Sequence, residues 1–219
     1  MTHELLRRTC AAGCAFALAM IANPLSQPTA YLASPAGAAE VCKTEIAKDD
    51  LTDDQVQALY DCLAEAIHSG VQKSGLPEAR AYRDWTVAST VPFISATHGS
   101  RFVRHYVNAT GKDAYLKWEE LGGRNMPVGS ITAKESFDIN KKGEVNPGPF
   151  FLMEKVAVGT LPETDDWKYT LMMPNGKVIG NSGTDTGMKV KFCHDCHLNV
   201  LDDQDGMFFP EEDYRVKTH

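Results

Sequence analysis

A five-residue motif, Cys193-His194-Asp195-Cys196-His197, constrains the fold of this chain more than any other feature of its sequence. The spacing Cys-x-x-Cys-His is the attachment pattern of c-type haem. Two thiols three positions apart can each add to one vinyl group along one edge of a haem, and the histidine that follows can then bind the iron. The motif therefore predicts one covalent haem c, held by Cys193 and Cys196, with His197 as the iron ligand.

Two other kinds of site use similar residues. A zinc site needs four ligands, and the sequence has no second Cys-x-x-Cys or paired-histidine motif. A cage made of the two cysteines, His194 and His197 alone would be strained. A redox disulfide needs no trailing histidine. A structural disulfide between Cys193 and Cys196 remains an alternative.

The first forty residues have the pattern of an export signal. Arg7 and Arg8 precede an apolar stretch at residues 10–22, and the small residues 36–38 form a cleavage pattern. We predict a signal peptide at residues 1–38 and a periplasmic location, where the cytochrome c maturation machinery attaches haem. An uncleaved N-terminal anchor is the alternative, although the apolar stretch is short for a permanent bilayer span.

The overall charge argues against two classes of partner. The formal net charge is −7, and no segment concentrates lysine and arginine. A nucleic acid or an anionic membrane surface would require such clusters. We therefore expect no nucleic-acid partner.

One helix is predicted at about residues 53–69. Thr52 and Gln55 form a capping-box pattern, and apolar residues recur behind them at helical spacing. Cys42 precedes this helix and Cys62 lies within it. In an exported protein we expect these two cysteines to form a disulfide, with two separate thiols as the alternative.

The rest of the chain favours an antiparallel sheet. Strands are predicted at residues 102–108, 130–139, 150–158, 167–173 and 177–180, and a short helix at 115–121. Pro174-Asn175-Gly176 predicts a hairpin turn between the last two strands. The predicted fold is α+β, with the N-terminal helix packed on a mainly antiparallel sheet that encloses one haem c.

These motifs, in their order and spacing, resemble the cytochrome P-460 family, which includes the β-type cytochromes c′. The resemblance covers about residues 80–216. It rests on the following segments: Met126-Pro127-Val128-Gly129-Ser130, Lys134-Glu135, Trp167-Lys168-Tyr169, Pro174-Asn175-Gly176 and the motif at 193–197. It implies a haem domain at residues 80–219, preceded by a helical extension at 39–79, and a five-coordinate haem that is open opposite His197.

The resemblance also implies roles for two further residues. Lys134 matches a lysine that is cross-linked to the haem ring in the enzymes of the family; the alternative is a solvent-facing lysine beside Thr132 and Ser136. Glu154 is our candidate for the carboxylate that moves protons over the open iron position. The alternative for Glu154 is a salt bridge, for instance to an arginine such as Arg101 or Arg104.

The resulting functional expectation is a cytochrome that acts on or binds small nitrogen oxides, either by oxidising hydroxylamine or by binding nitric oxide. A soluble cytochrome would accept the electrons. An apolar open face, lined for instance by Phe150 or Phe151, would favour gas binding without turnover. Exposed sheet edges would allow a homodimer.

The alternative function is a six-coordinate electron-transfer cytochrome. Its sixth ligand would be His98, His105 or a methionine, although structural roles are more common for such residues. The methionines considered are Met153, Met172, Met173 and Met188, which we expect to fill gaps in the core.

Overall fold

The structure of the chain, a computed structural model, describes residues 42–118 and 125–217. The predicted signal peptide at 1–38 and the alternative of an N-terminal anchor lie outside these residues. Within the described ranges, no helix combines the length and apolar content that crossing a bilayer requires.

The fold is α+β, and the described residues contain eight strands in one open antiparallel sheet. In chain order the strands are β1 (Thr86–Val87), β2 (Phe93–Ser95), β3 (Arg101–Val107), β4 (Ile131–Ile139), β5 (Val145–Pro147), β6 (Phe150–Lys155), β7 (Trp167–Met172) and β8 (Val178–Asn181). The order across the sheet is β1, β3, β4, β6, β7, β8, while β2 pairs with β3 and β5 pairs with β4. Each predicted strand is present, and no end differs from its predicted position by more than three residues.

Four α-helices occur in the described part of the chain. They are α1 (Asp53–Gln72), α2 (Ala109–Tyr115), α3 (Lys191–His197) and α4 (Leu201–Gln204). The capping box of α1 is confirmed, because the Gln55 backbone N–H donates to Thr52 Oγ1 and the Thr52 N–H donates to Gln55 Oε1. Its buried residues Val56, Tyr60, Leu63 and Ile67 lie in one cluster with Phe102, Phe137 and Val145 from the sheet.

The short helix predicted at 115–121 is wrong in position. Helix α2 instead ends at Tyr115, and residues 119–121 lie outside the described ranges. The helix starts early because the Asn108 side chain accepts a hydrogen bond from the Gly111 N–H, at 3.0 Å, and so caps the helix directly after β3.

The predicted disulfide between Cys42 and Cys62 is confirmed. It ties the segment before α1 to the middle of that helix, with a Cα–Cα distance of 6.0 Å. The bond therefore closes a loop of about 20 residues that includes the start of α1.

Strand β4 is buried on both faces. The residues on one face are Ala133, Glu135 and Phe137, which have exposed fractions of 1% each. Those on the other face are Thr132, Lys134 and Ser136, with exposed fractions of 4%, 7% and 1%. The alternative in which Lys134 faces solvent is therefore wrong, because later parts of the chain cover this face.

Candidate functional site

A cavity of about 270 Å³ brings α3 together with the sheet. Helix α3 contributes Cys193, Cys196 and His197 to its lining. Strand β6 contributes Phe151 and strand β7 contributes Tyr169. The three residues of the sequence motif thus share one pocket with largely apolar side chains.

The imidazole of His197 is buried and fixed through one of its nitrogens. Its Nδ1 lies 2.5 Å from the carbonyl oxygen of Gly206, so Nδ1 carries the ring proton and its N–H donates a hydrogen bond to that carbonyl. The rings of Tyr169 and Phe208 pack on it at centroid distances of 5.4 and 5.1 Å. Burial lowers the pKa of His197 to about 3, and the neighbouring Lys134 adds to that shift. The neutral ring therefore keeps the lone pair on Nε2 for a ligand.

The two cysteines of the motif are free thiols in the structure. Burial raises the pKa of Cys193 to about 11, which keeps that sulfur protonated at neutral pH. Among the described residues, no group of three or more histidine, cysteine or acidic side chains is arranged to hold a bare metal ion. A haem supplies four nitrogen ligands to its iron and needs only an axial ligand from the protein. His197 and the two thiols of the motif therefore fit a haem.

The Gly206 carbonyl is itself held in place by the preceding residue. The Asp205 carboxylate accepts hydrogen bonds from Lys155 Nζ and from the Met126 backbone N–H, each at 2.7 Å. The Asp205 carbonyl accepts a further bond from the Trp167 indole N–H at 2.8 Å. Asp205 was not predicted to belong to the site. The only sequence signal for it was an acidic residue directly before Gly206, which lies nine positions after His197.

Lys134 lies on the cavity side of β4. It pairs across the sheet with Phe151, which lines the cavity, and paired residues point to the same face. Its amine lies 3.4 Å from the carbonyl oxygen of Phe208. Burial lowers the pKa of Lys134 to about 7, partly offset by the nearby Cys196. A large fraction of this amine is therefore neutral near pH 7.

Glu154 is not one of the described residues that line the cavity, which argues against its predicted role over the iron. It pairs with Ile131, three positions from Lys134, and so belongs to the opposite face of the sheet. Its carboxylate forms an ion pair with Lys168, which also pairs with Glu78 at 3.4 Å. The salt-bridge alternative is therefore correct in kind, although the partner is a lysine rather than an arginine.

Two further basic side chains, for which the sequence suggested other roles, line the cavity. They are His98, considered only as a sixth iron ligand, and Arg101, considered only as a partner for Glu154. A left-handed turn at Gly99, with φ of 73°, separates them. The signal for Arg101 was the alternation of β3, which puts residues 101, 103 and 105 on the face of Lys134.

The other proposed sixth ligands lie elsewhere. His105 is buried, its Nδ1 lies 3.0 Å from the Tyr115 hydroxyl, and it is not among the described cavity-lining residues. Met153 and Met172 are buried in apolar clusters as expected. The same expectation is wrong for Met173 and Met188, which are 37% and 78% exposed.

The sequence analysis also missed a buried carboxylate, Glu135, on the face opposite the cavity. It is 1% exposed and accepts hydrogen bonds from the hydroxyls of Tyr60, Tyr82 and Tyr106. The Arg83 guanidinium forms an ion pair with it at 2.7 Å. The sequence signal for a buried carboxylate was available, because Glu135 shares one face of an alternating strand with Ile131, Ala133 and Phe137.

Comparison with the models of known protein families finds no match for this chain. Comparison with curated protein sequences finds no match either.

Proposed function

We propose that this chain is an exported mono-haem c-type cytochrome that acts on or binds small nitrogen oxides. Cys193 and Cys196 would hold the haem through thioether bonds, and His197 would bind the iron. The fold would pack α1 on one face of the sheet and enclose the haem at the other face. The contact that carries this proposal is the one between His197 Nδ1 and the Gly206 carbonyl.

That contact is typical of a metal-binding histidine. Such a residue usually donates its second ring N–H to a carbonyl or carboxylate, which fixes the ring and makes the other nitrogen more basic. Here the donor ring lines the same cavity as two unbridged thiols at attachment spacing. When bound, a haem would supply an iron atom that coordinates nitrogen oxides and exchanges electrons with them.

Lys134 is proposed as a second covalent attachment, following the resemblance to the P-460 family. With a pKa of about 7, about half of its buried amine is neutral near pH 7, and the neutral form is nucleophilic. A bond from its nitrogen to a ring carbon would replace one N–H bond and one C–H bond. The two protons and two electrons released would pass to an oxidant such as hydrogen peroxide.

The proposed cellular location and partners follow from this activity. Export would place the protein in the periplasm, where the cytochrome c maturation machinery works, and a soluble cytochrome would accept electrons. Pairing of two copies through a sheet edge is proposed as the route to a homodimer.

Extraction tests the attachment. The full chain is produced in a host with the maturation machinery and treated with acid and organic solvent. We expect the colour to stay with the polypeptide, and to stay also in the control His194→Ala, which changes a spacer position of the motif. A colour that extracts completely would overturn the proposal.

A cysteine double variant separates the two kinds of attachment. In Cys193→Ser/Cys196→Ser, any haem retained through the extraction must be bound elsewhere. In this double variant we expect mass spectrometry to detect a haem-bound peptide that contains Lys134. The further change Lys134→Met should release the haem. A colourless double variant would show that the lysine bond does not form.

The second candidate function is six-coordinate electron transfer, which is favoured by His98 because this histidine lines the same cavity as His197. The visible spectrum separates the two candidates. A low-spin reduced spectrum would support the electron carrier. A high-spin spectrum that changes on adding nitric oxide would support the open site.

A further inference from the structure

His98 presents one nitrogen to the cavity. Its Nδ1 lies 2.9 Å from Ser95 Oγ and 3.1 Å from Thr97 Oγ1, so this nitrogen is engaged by the turn. The ring packs edge-on against Phe151, with the centroids 4.8 Å apart. Because His98 lines the cavity, Nε2 is the nitrogen left to interact with a molecule there.

Arg101 adds a positive charge to the same wall. Its Nη1 donates to the His98 carbonyl at 3.1 Å, which folds the guanidinium back over the turn. A side chain at Gly99 would put its Cβ 2.3 Å from that nitrogen, so the close approach depends on glycine. Within the described ranges, no carboxylate oxygen lies within 4.0 Å of the Arg101 guanidinium.

We propose that His98 and Arg101 form an anion-binding wall of this cavity, which strengthens the binding of small anions, such as nitrite or azide, and leaves the binding of neutral diatomic molecules almost unchanged. This inference rests on the proposed function, because it concerns the ligand class of the same site. An arginine with no carboxylate partner among the described residues is available to a ligand, and it binds anions through charge-assisted hydrogen bonds. The surrounding apolar side chains strengthen that attraction by excluding water.

The test is a titration of the haem-loaded full chain with sodium nitrite, followed by the change in the Soret band. We expect Arg101→Gln to weaken nitrite binding by about tenfold or more, which is the range of one charge-assisted hydrogen bond. Binding of nitric oxide, a neutral ligand, should change by less than about threefold. Arg101→Lys keeps the charge and should retain part of the affinity, which covers the case in which the glutamine variant folds poorly.

Arg104→Gln is the matched control. It removes the same charge from the same strand, but Arg104 belongs to the other face, where it donates to Gln57 Oε1 at 2.9 Å. We expect its nitrite affinity to equal that of the wild type. Equal nitrite affinities in Arg101→Gln and the wild type would overturn the inference.

His98 variants complete the test. His98→Ala should weaken nitrite binding, and His98→Gln, which can still form hydrogen bonds, should restore part of it. A low-spin resting spectrum that becomes high-spin in His98→Ala would mean that His98 binds the iron, which overturns its role in holding anions. Haem that is extracted by acid and solvent would instead overturn the proposed function itself, so the two failures are distinguishable.

Discussion

His197 Nδ1 donates a hydrogen bond to the carbonyl oxygen of Gly206 over 2.5 Å. The acceptor belongs to a left-handed segment, with φ of 47° at Asp205 and 76° at Gly206. Such a backbone must be held by its surroundings, because non-glycine residues rarely adopt it. Asp205 supplies this restraint through its contacts with Lys155, Met126 and Trp167, so a carboxylate outside the motif fixes the orientation of the candidate iron ligand.

The first prediction concerns Asp205→Asn. The change leaves the buried Lys155 ammonium, whose side chain is 7% exposed, without its carboxylate partner. We expect the free energy of unfolding to fall by about 3 kcal/mol, because the charge left behind is buried. In the haem-loaded protein, the iron–histidine stretching frequency should also shift, because Gly206 is less firmly held. Urea denaturation and resonance Raman spectroscopy measure the two effects.

Asp203→Asn is the control for this prediction, since Asp203 is exposed and lies two residues earlier. It should leave both the unfolding free energy and the stretching frequency unchanged. If Asp205→Asn lowers stability but leaves the frequency at its wild-type value, Asp205 supports the fold without positioning His197.

The second prediction concerns Glu135→Gln, on the sheet face away from the cavity. Three tyrosine hydroxyls and Arg83 converge on the carboxylate, and a neutral amide has a single oxygen to accept their hydrogen bonds. We expect a loss of about 3 kcal/mol in the free energy of unfolding. Glu45→Gln, at a residue whose side chain is 88% exposed, should have almost no effect in the same urea titration. Equal midpoints for the two variants would contradict the structural role of Glu135.

The third prediction concerns the disulfide. Replacing Cys42 and Cys62 by serine opens a loop of about 20 residues and increases the entropy of the unfolded chain. The free energy of unfolding should fall by about 3 kcal/mol at 25 °C. Denaturation of the variant, compared with the oxidised and the reduced wild type, measures the effect. The reduced wild type should match the variant; a reduced protein as stable as the oxidised one would show that the bond contributes nothing.

Local signals predicted much of this fold. Residues 52–55 determine a capping box through their own hydrogen bonds, and Pro174-Asn175-Gly176 requires a turn whose glycine has a φ of 85°. These features depend on neighbours in the sequence, so they can be predicted without knowing the tertiary structure. The Cys-x-x-Cys-His spacing is local in the same sense, and α3 brings both cysteines and the last histidine of the motif to one cavity.

The choice of sheet face could not be predicted in the same way. Alternation correctly separated Lys134 from Glu135, but both faces of β4 are buried, so polarity did not indicate which face holds the cavity. Glu154 was chosen as the carboxylate that the family resemblance implies, although its register places it on the face of Ile131, opposite the face of Lys134. The contacts of His98, Arg101 and Asp205 with the site depend on pairing between distant segments, which a single sequence does not specify.

The last prediction concerns the pH dependence that Lys134 gives to the chain before haem is attached. Its pKa is about 7 in the folded state, against an ordinary value of 10.5. Between these values the unfolded state binds a proton that the folded state does not bind, so stability rises as the pH rises from 7 to 10.5. The slope of this contribution is about 1.4 kcal/mol per pH unit, and the contribution is least favourable below pH 7, where the buried amine must carry a charge.

Lys134→Met removes this dependence because methionine does not titrate. The difference in unfolding free energy between the wild type and Lys134→Met should therefore shift in favour of the wild type as the pH rises from 7 to 10.5, and level off outside that window. Lys142→Met, at an exposed lysine, should follow the wild type across the same range. Urea titrations of the three chains at closely spaced pH values measure these differences. A constant difference between the wild type and Lys134→Met would mean that the amine keeps its ordinary pKa, and that burial does not prepare it for bond formation.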